Sequence, residues 1–180
     1  MYEWLLEIEF AILDYIHAIH NSFLDTLMVF VSFMGNGGLI WIAYALFLLA
    51  KKNSRRAGIS ILLALLLNLI VTNLTLKPLI HRTRPFDIAS AAELLIEPPR
   101  DYSFPSGHTS SSFAASTAVF VHKKKVGAFM YVLSAFIAFS RLYLYVHYPT
   151  DVLCGVIIGV AAGMTSAWIV RRIYGRSIPE

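Results

Sequence analysis

Two histidines and an aspartate are the residues whose types and spacing could do chemistry in this chain. His147 and Asp151 are four residues apart, with Pro149 between them. Because proline is favoured at the first position of a helix, Asp151 is predicted to lie in a first helical turn and to reach back to His147. Such a bond fixes the tautomer of the ring and leaves its other nitrogen free as a nucleophile. His108, in the separate stretch PSGH, could be the acid that protonates a leaving oxygen.

Three cations accompany these residues, and we call Lys77, Arg84 and Arg141 the cation cage. Cations from separate loops that meet at one place suit a multiply charged anion, and phosphate is the obvious one. Ser106 and Gly107 stand where a helix is predicted to begin, and the free N–H groups of a helix start also favour an anion. The sequence shows no acidic metal-binding cluster beside them. The set therefore predicts phosphoryl transfer that needs no metal and no other cofactor.

The surrounding sequence is typical of an integral membrane protein. The chain has 180 residues, of which 57% are hydrophobic and 14% are charged, whereas ordinary soluble domains carry about 25% charged residues. Long apolar runs with this charge deficit predict one all-α domain over residues 1–180, an integral membrane helical bundle. We expect about six transmembrane helices, near 22–34, 38–50, 57–76, 109–121, 126–141 and 152–170.

Two parts of this bundle are less regular. The run over 22–50 could be one span or two, and the GNGG stretch at 35–38 favours two. Residues 2–19 are predicted to form an amphipathic helix that lies along the membrane interface. Its apolar face would carry Trp4, Leu5, Ile8, Ala11, Ile12 and Ile16. The residues that could do chemistry then fall in two loops, 77–108 and 141–151.

The basic residues predict an orientation. In a six-span topology, ten of the fifteen Lys and Arg residues fall on one side of the membrane, and by the positive-inside rule that side is the cytoplasm. These ten are Lys51, Lys52, Arg55, Arg56, Lys123, Lys124, Lys125, Arg171, Arg172 and Arg176. The cation cage, Arg82 and Arg100 fall on the other side, so the site is predicted to face away from the cytoplasm. The net charge of +4 needs no nucleic-acid partner to explain it.

Three stretches of this chain resemble the signatures of the type-2 phosphatidic acid phosphatase superfamily. The patterns Lys-x6-Arg-Pro, Pro-Ser-Gly-His and Ser-Arg-x5-His-x3-Asp match at every position and at both internal spacings. They begin at Lys77, Pro105 and Ser140. Each piece alone has an ordinary structural explanation, such as a helix cap or a headgroup contact. The conjunction of all three, in this order and among these spans, identifies the chain as a member.

The resemblance implies a role for each matching residue. His147 would attack phosphorus in line and form a phosphohistidine. His108 would protonate the departing oxygen and then activate the water that cleaves the intermediate, while Asp151 would orient His147 and stabilise its positive charge. The cation cage would hold the phosphate oxygens together with Ser106 and the N–H group of Gly107.

The compact form with about six spans resembles the bacterial undecaprenyl diphosphate phosphatases of this family. It implies hydrolysis of undecaprenyl diphosphate to undecaprenyl phosphate, a step of cell wall biogenesis, at the outer face of the plasma membrane. Phosphatidylglycerophosphate, phosphatidic acid and lipid A phosphatases stay open, because the signatures contact the phosphate and not the tail. A non-catalytic membrane protein that binds lipid phosphates also stays open, although the His147–Asp151 pair argues against it. The oligomeric state is left open.

Overall fold

The computed structural model describes residues 3–89 and 94–174. Over these residues the chain is all-helical, as the sequence predicts, with nine α-helices and no strand. The first two residues, residues 90–93 within the predicted 77–108 loop, and the last six residues, which include Arg176, lie outside the described part.

The helices follow the predicted apolar runs closely. In chain order they are α1 (Glu3–His17), α2 (Ser22–Met34), α3 (Leu39–Leu49), α4 (Arg55–Asn68), α5 (Lys77–Ile80), α6 (Pro85–Ile88), α7 (Gly107–His122), α8 (Lys124–Tyr143) and α9 (Pro149–Tyr174). A π-helical segment, Leu69–Leu76, joins α4 to α5 without a break. Wider turns of this kind are frequent at functional sites.

Local chemistry explains where several helices begin. The side chain of Asn21 caps α2 by accepting a hydrogen bond from the backbone N–H of Leu24. Ser106 caps α7 in the same way, and Pro149 opens α9, where a missing N–H group costs nothing. The capped start of α7 and the proline-led start of α9 both carry predicted site residues.

The segment from α2 to α3 is bent. The two helices meet at a bend of 43°, and Gly37 and Gly38 in the turn have φ values of 59° and 68°, which glycine adopts readily. A bend of this size favours a broken span or a re-entrant segment over two successive crossings, which need a near reversal of direction. The number of spans over 22–50 stays a prediction.

The protein is a multi-pass membrane protein. Within the described residues, three segments are long and apolar enough to span alone, namely Lys52–Ile88, Lys124–Tyr143 and Pro149–Tyr174, and the bent α2–α3 pair adds a fourth. α7 has 16 residues and packs between α4, α8 and α9. Its contact with α9 is close, because Gly155, Gly159 and Gly163 let the two backbones touch.

The two ends of the bundle differ in character. At one end, which we call the basic end, Arg171 donates to the backbone oxygen of Val121 and Arg55 to that of Leu49. At the other end, which we call the site end, α1 packs Leu13 and Ile16 against the loop from Tyr143 to Tyr148. The helix predicted over 2–19 is thus present over the described residues 3–17 and lies against the site end.

Candidate active site

One cavity at the site end gathers most of the predicted site residues. It has a volume of about 760 Å³ and extends between the α2–α3 turn, α4 and the π-helical segment. Its walls include Lys77, Arg84, Gly107, His108, Arg141 and His147. The remaining two predicted residues, Ser106 and Asp151, are fully buried behind this wall. The fold therefore brings the three matching stretches to one place.

His147 and Asp151 lie next to each other. The Nδ1 atom of His147 lies 3.5 Å from the Oδ2 atom of Asp151, within ion-pair distance but without a hydrogen bond, so the predicted bond between them stays a prediction. This Nδ1 atom is buried and has no closer partner in the described part of the chain. Asp151 lies in the first turn of α9, so the proline-led helix start places it as expected.

The other ring nitrogen of His147 faces the cation cage. Its Nε2 atom lies 3.3 Å from the Nη1 atom of Arg84. A guanidinium group can only donate, so Nε2 must be the unprotonated acceptor and the ring proton sits on Nδ1, towards Asp151. Burial lowers the pKa of His147 to about 3, although Asp151 opposes the shift. The ring is therefore neutral near pH 7, with a lone pair on the nitrogen that faces the cage.

Lys77 and Arg84 meet at a carboxylate that the sequence patterns do not predict. The Nζ group of Lys77 is bonded to Oδ2 of Asp101, and Nη2 of Arg84 donates to Oδ1 of Asp101 over 2.7 Å. Burial raises the pKa of Asp101, but the bonds and charges of the two cations outweigh it and lower the pKa to about 2. Asp101 thus holds both cations side by side at the mouth of the cavity.

Arg141 has an unused donor. Its Nη1 group is bonded to the hydroxyl of Ser32 on α2, and the side chain is buried. Its Nε–H group is also buried and has no hydrogen-bond partner among the described residues. A buried donor without a partner is costly, and an oxyanion in the cavity would satisfy it.

The start of α7 supplies Gly107 to the cavity but turns Ser106 away from it. The Oγ atom of Ser106 accepts hydrogen bonds from the N–H group and the hydroxyl of Thr109. Ser106 therefore caps the helix, and its part in phosphate binding stays a prediction. Gly107 lies on the cavity wall, close to the side chain of Asn73 on the π-helical segment.

His108 is held by the turn between α2 and α3. Its Nε2 atom lies 2.8 Å from the Oδ1 atom of Asn36. Its ring packs on Gly35, where a Cβ atom would lie only 2.8 Å from Cδ2 of the ring. The GNGG turn thus supplies both a packing surface, at Gly35, and a hydrogen-bond partner, Asn36, for the predicted acid His108.

The comparisons with known proteins agree with this geometry. Residues 57–174 match the PAP2 superfamily, and the match includes all three stretches. The chain belongs to the PAP2 superfamily.

The similarity to individual PAP2 proteins extends over most of the chain. The undecaprenyl-diphosphatase BcrC of Bacillus subtilis (strain 168) is 32% identical over 148 residues, which cover 80% of this chain and 74% of BcrC. A lipid A 4'-phosphatase of Bacteroides thetaiotaomicron is 28% identical over 190 residues, which cover 98% and 83% of the two chains. The crystal structure of Aquifex aeolicus LpxE has a TM-score of 0.77 at 26% identity and covers 88% and 94%. This protein is a PAP2 lipid phosphatase, a phosphoric ester hydrolase of the membrane.

Four residues around this PAP2 site are not predicted by the sequence patterns. Asp101 lies in a polar loop, Asn36 lies in the GNGG stretch that predicts a helix break, and Arg82 occupies a position that the first signature leaves open. Glu9 lies outside the predicted apolar face of the N-terminal helix. One signal points to Arg82, because the predicted topology puts it on the side of the membrane where the positive-inside rule disfavours cations.

Proposed function

We propose that this PAP2 phosphatase hydrolyses a lipid phosphate or diphosphate through a phosphohistidine on His147. The observation that carries the proposal is the Nε2 atom of His147, unprotonated, 3.3 Å from Arg84 and backed by Asp151. A neutral imidazole with a free lone pair beside a cation-lined cavity is suited to attack a bound phosphoryl group.

The reaction balances with the residues present. Nε2 of His147 forms a bond to phosphorus as the bond from phosphorus to the leaving oxygen breaks. His108, as an imidazolium that keeps its Nε2 proton bonded to Asn36, gives its Nδ1 proton to that oxygen, and Asp151 stabilises the positive ring of His147. His108 then takes a proton from water, the hydroxide attacks phosphorus, and the phosphorus–nitrogen bond breaks to release inorganic phosphate. Lys77, Arg84 and the free Nε–H of Arg141 would stabilise the charge on the equatorial oxygens.

The cavity supports a lipid substrate. Beyond the cation cage its wall becomes apolar, with Leu62, Leu65, Leu66 and Leu69 on one side and Val29, Phe33 and Ile42 on the other. A polar headgroup at the cage and a hydrocarbon tail in this groove fit such a wall. The oligomeric state does not enter this assignment, because every residue used belongs to one chain.

Undecaprenyl diphosphate is our preferred substrate, with undecaprenyl phosphate as product. The names of relatives support it, since BcrC and a Sulfolobus acidocaldarius relative at 31% identity are both named undecaprenyl-diphosphatases. Relatives named lipid A 4'-phosphatase make lipid A the alternative. Phosphatidylglycerophosphate and phosphatidic acid belong in the same test.

We also propose that the site faces away from the cytoplasm, in the plasma membrane of a bacterium. The basic end carries Lys51, Lys52, Lys123 and Arg171, and the positive-inside rule places that end in the cytoplasm. α1 then lies on the outer interface, where its exposed Trp4, Ile8, Ile12 and Tyr15 meet lipid.

Phosphate release from a panel of lipids tests the assignment. Purified full-length protein is mixed with undecaprenyl diphosphate, lipid A, phosphatidylglycerophosphate and phosphatidic acid, with His147→Ala as background. We expect undecaprenyl diphosphate to show the highest kcat/KM. A preference for another lipid changes the substrate alone. No release from any lipid above the His147→Ala background leaves a non-catalytic lipid-phosphate binder, and tight binding without turnover would establish that class.

A further inference from the structure

One charged side chain of α1 points into the protein. Glu9 is 1% exposed, whereas Glu3 and Glu7 on the same helix are exposed. A buried carboxylate is costly unless it is paired and hydrogen-bonded. Glu9 is therefore expected to have charged or hydrogen-bonding partners inside the protein.

Both carboxylate oxygens of Glu9 are used. Oε2 accepts a hydrogen bond from Nη2 of Arg82. Oε1 accepts two more from Thr150, one from its backbone N–H at 3.1 Å and one from its hydroxyl at 2.5 Å. Thr150 immediately precedes Asp151, so α1 is bonded to the first turn of α9.

Arg82 continues this chain of contacts to the predicted catalytic pair. Its Nη1 group donates to Oδ1 of Asp151 over 2.5 Å and to the hydroxyl of Thr150 over 2.7 Å. Its guanidinium carbon lies 3.9 Å from the ring centroid of Tyr148, which fixes the plane of the group. Charges therefore alternate from Glu9 through Arg82 to Asp151.

The second oxygen of Asp151 is fixed independently. Oδ2 accepts hydrogen bonds from the hydroxyl of Ser103 and from the backbone N–H of Tyr148, the latter over 2.9 Å. With Arg82 on Oδ1, the carboxylate cannot turn, and Oδ2 stays opposite Nδ1 of His147 at 3.5 Å. The direction of the carboxylate thus depends on a residue that α1 holds.

We propose that Glu9 and Arg82 are positioning residues of the reaction, and that α1, through them, sets the direction and effective charge of the Asp151 carboxylate behind His147. The inference rests on the proposed function, since it concerns the same nucleophile. Neither residue lines the cation cage cavity, so neither touches the substrate phosphate there.

The charge argument gives the sign of the effect. His147 becomes positive as it takes the phosphoryl group, and Asp151 stabilises that charge. Arg82 opposes it, because it neutralises part of the carboxylate, and Glu9 in turn neutralises part of Arg82. Removing the charge of Glu9 leaves Asp151 as the one carboxylate bonded to Arg82 among the described residues. The phosphohistidine then loses stabilisation, while the cage that binds the ground-state phosphate is untouched.

A Glu9→Gln variant separates positioning from simple docking of α1. The matched control is Glu7→Gln, an exposed position on the same helix. For both we would measure kcat, KM, Tm, and the inhibition constants of vanadate and inorganic phosphate. Vanadate imitates five-coordinate phosphorus bonded to the nucleophile, whereas phosphate needs only the cage.

We expect Glu9→Gln to lower kcat about tenfold and to raise the vanadate inhibition constant by a similar factor. Its KM and phosphate inhibition constant should stay near the wild-type values, and Glu7→Gln should match the wild type throughout. The double variant Glu9→Gln/Arg82→Gln should be no slower than Arg82→Gln alone, because Glu9 acts through Arg82.

Other outcomes overturn the inference. If Glu9→Gln lowers Tm but keeps the wild-type kcat and vanadate constant, Glu9 only docks α1. If that variant does not fold, Glu9→Asp is tested in its place. The aspartate side chain is one methylene shorter, so its carboxylate lies farther from Arg82 and Thr150. A wild-type kcat in folded Glu9→Asp would then count against positioning. A wild-type protein that neither releases phosphate nor binds vanadate refutes the proposed function instead.

Discussion

The imidazole of His108 is bonded to Asn36, with 2.8 Å between its Nε2 atom and the Oδ1 oxygen of the amide. The two residues lie 72 positions apart in the sequence and come from the start of α7 and the turn between α2 and α3. The amide oxygen accepts a hydrogen bond, so it keeps the ring proton of His108 on Nε2. The break in the α2–α3 crossing therefore serves the predicted acid.

Replacing Asn36 by leucine should reduce turnover without weakening substrate binding. The leucine keeps much of the volume but cannot accept the hydrogen bond, so His108 loses its preferred tautomer. We expect kcat to fall about tenfold, the equivalent of one lost hydrogen bond of about 1.4 kcal/mol. Steady-state phosphate release measures it. An unchanged kcat would mean that the ring of His108 is oriented by its packing alone.

Gly35→Ala should displace the ring of His108 by steric overlap. A Cβ atom there would lie 2.8 Å from Cδ2 of His108 and 2.9 Å from Cγ2 of Ile137. We expect a loss of kcat of roughly tenfold to a hundredfold, because misplaced catalytic groups are this costly. Gly37→Ala is the matched control in the same turn. Its φ of 59° strains alanine and lowers Tm, but its nearest neighbour is Leu39 at 3.7 Å, so kcat should survive.

The seam between α7 and α9 should be intolerant of a methyl group. A Cβ atom on Gly159 would collide with the backbone oxygen of Ser110 and would lie 2.8 Å from Cβ of Phe113. Overpacking of this kind costs about 1–3 kcal/mol, so Gly159→Ala should lower Tm in detergent by several degrees. Thr165→Ala, at an exposed position of α9, is the control and should leave Tm unchanged. Equal Tm values for the two variants would contradict the close packing.

Asp101 should compete with phosphate for Lys77 and Arg84. Because the Asp101 carboxylate binds both cations, Asp101→Asn should lower the inhibition constant of inorganic phosphate by about three- to tenfold, equivalent to about 0.6–1.4 kcal/mol, the net value of one hydrogen bond. Asp87→Asn, at an exposed position of α6, is the control. A collapse of kcat with weaker phosphate binding would show instead that Asp101 is needed to order the two cations.

The pH dependence of that competition follows from the lowered pKa of Asp101. Its carboxyl titrates at about 2 in the folded protein against about 3.9 when unfolded. The stabilising contact is therefore fully present above pH 4 and is lost only as the pH falls towards 2. The ratio of wild-type to Asp101→Asn phosphate inhibition constants should stay constant from pH 5 to 9. A ratio that changes within this range would identify another titrating group.

Chelation should leave activity largely intact. In the proposed mechanism the cation cage supplies the charge that metal ions supply in other phosphoryl transfers, so EDTA should change kcat/KM less than twofold. A strong loss in EDTA that one metal restores would contradict the mechanism.

The sequence predicted the parts of the site that sit at helix ends with fixed spacing. Asp151 reaches towards His147 because Pro149 opens α9, and Gly107 lies on the cavity wall because α7 starts there. The same reasoning assigned Ser106 to phosphate binding, which stays a prediction, and the hydroxyl of Ser106 caps α7 by accepting hydrogen bonds from Thr109. A capping residue and a phosphate ligand have the same sequence pattern.

The parts that were missed depend on contacts between distant segments. Glu9 and Arg82 are 73 residues apart, and an amphipathic pattern does not tell which of several glutamates on α1 turns inwards. The GNGG stretch marked a break between α2 and α3, but glycines do not specify the angle of a break. The bend between α2 and α3 is 43°, and Gly35 beside it packs against His108 and Ile137, which are distant in sequence.

The bonds between Glu9 and Thr150 also bear on how the enzyme is made. The two residues are 141 positions apart, and chains grow at about 5–20 residues per second. Roughly 7–28 seconds therefore separate the synthesis of α1 from that of its partner at the start of α9. During this interval the nascent chain lacks both the nucleophile and the carboxylate behind it. The enzyme therefore becomes competent after α9 has entered the membrane and Glu9 of α1 has bonded to Thr150.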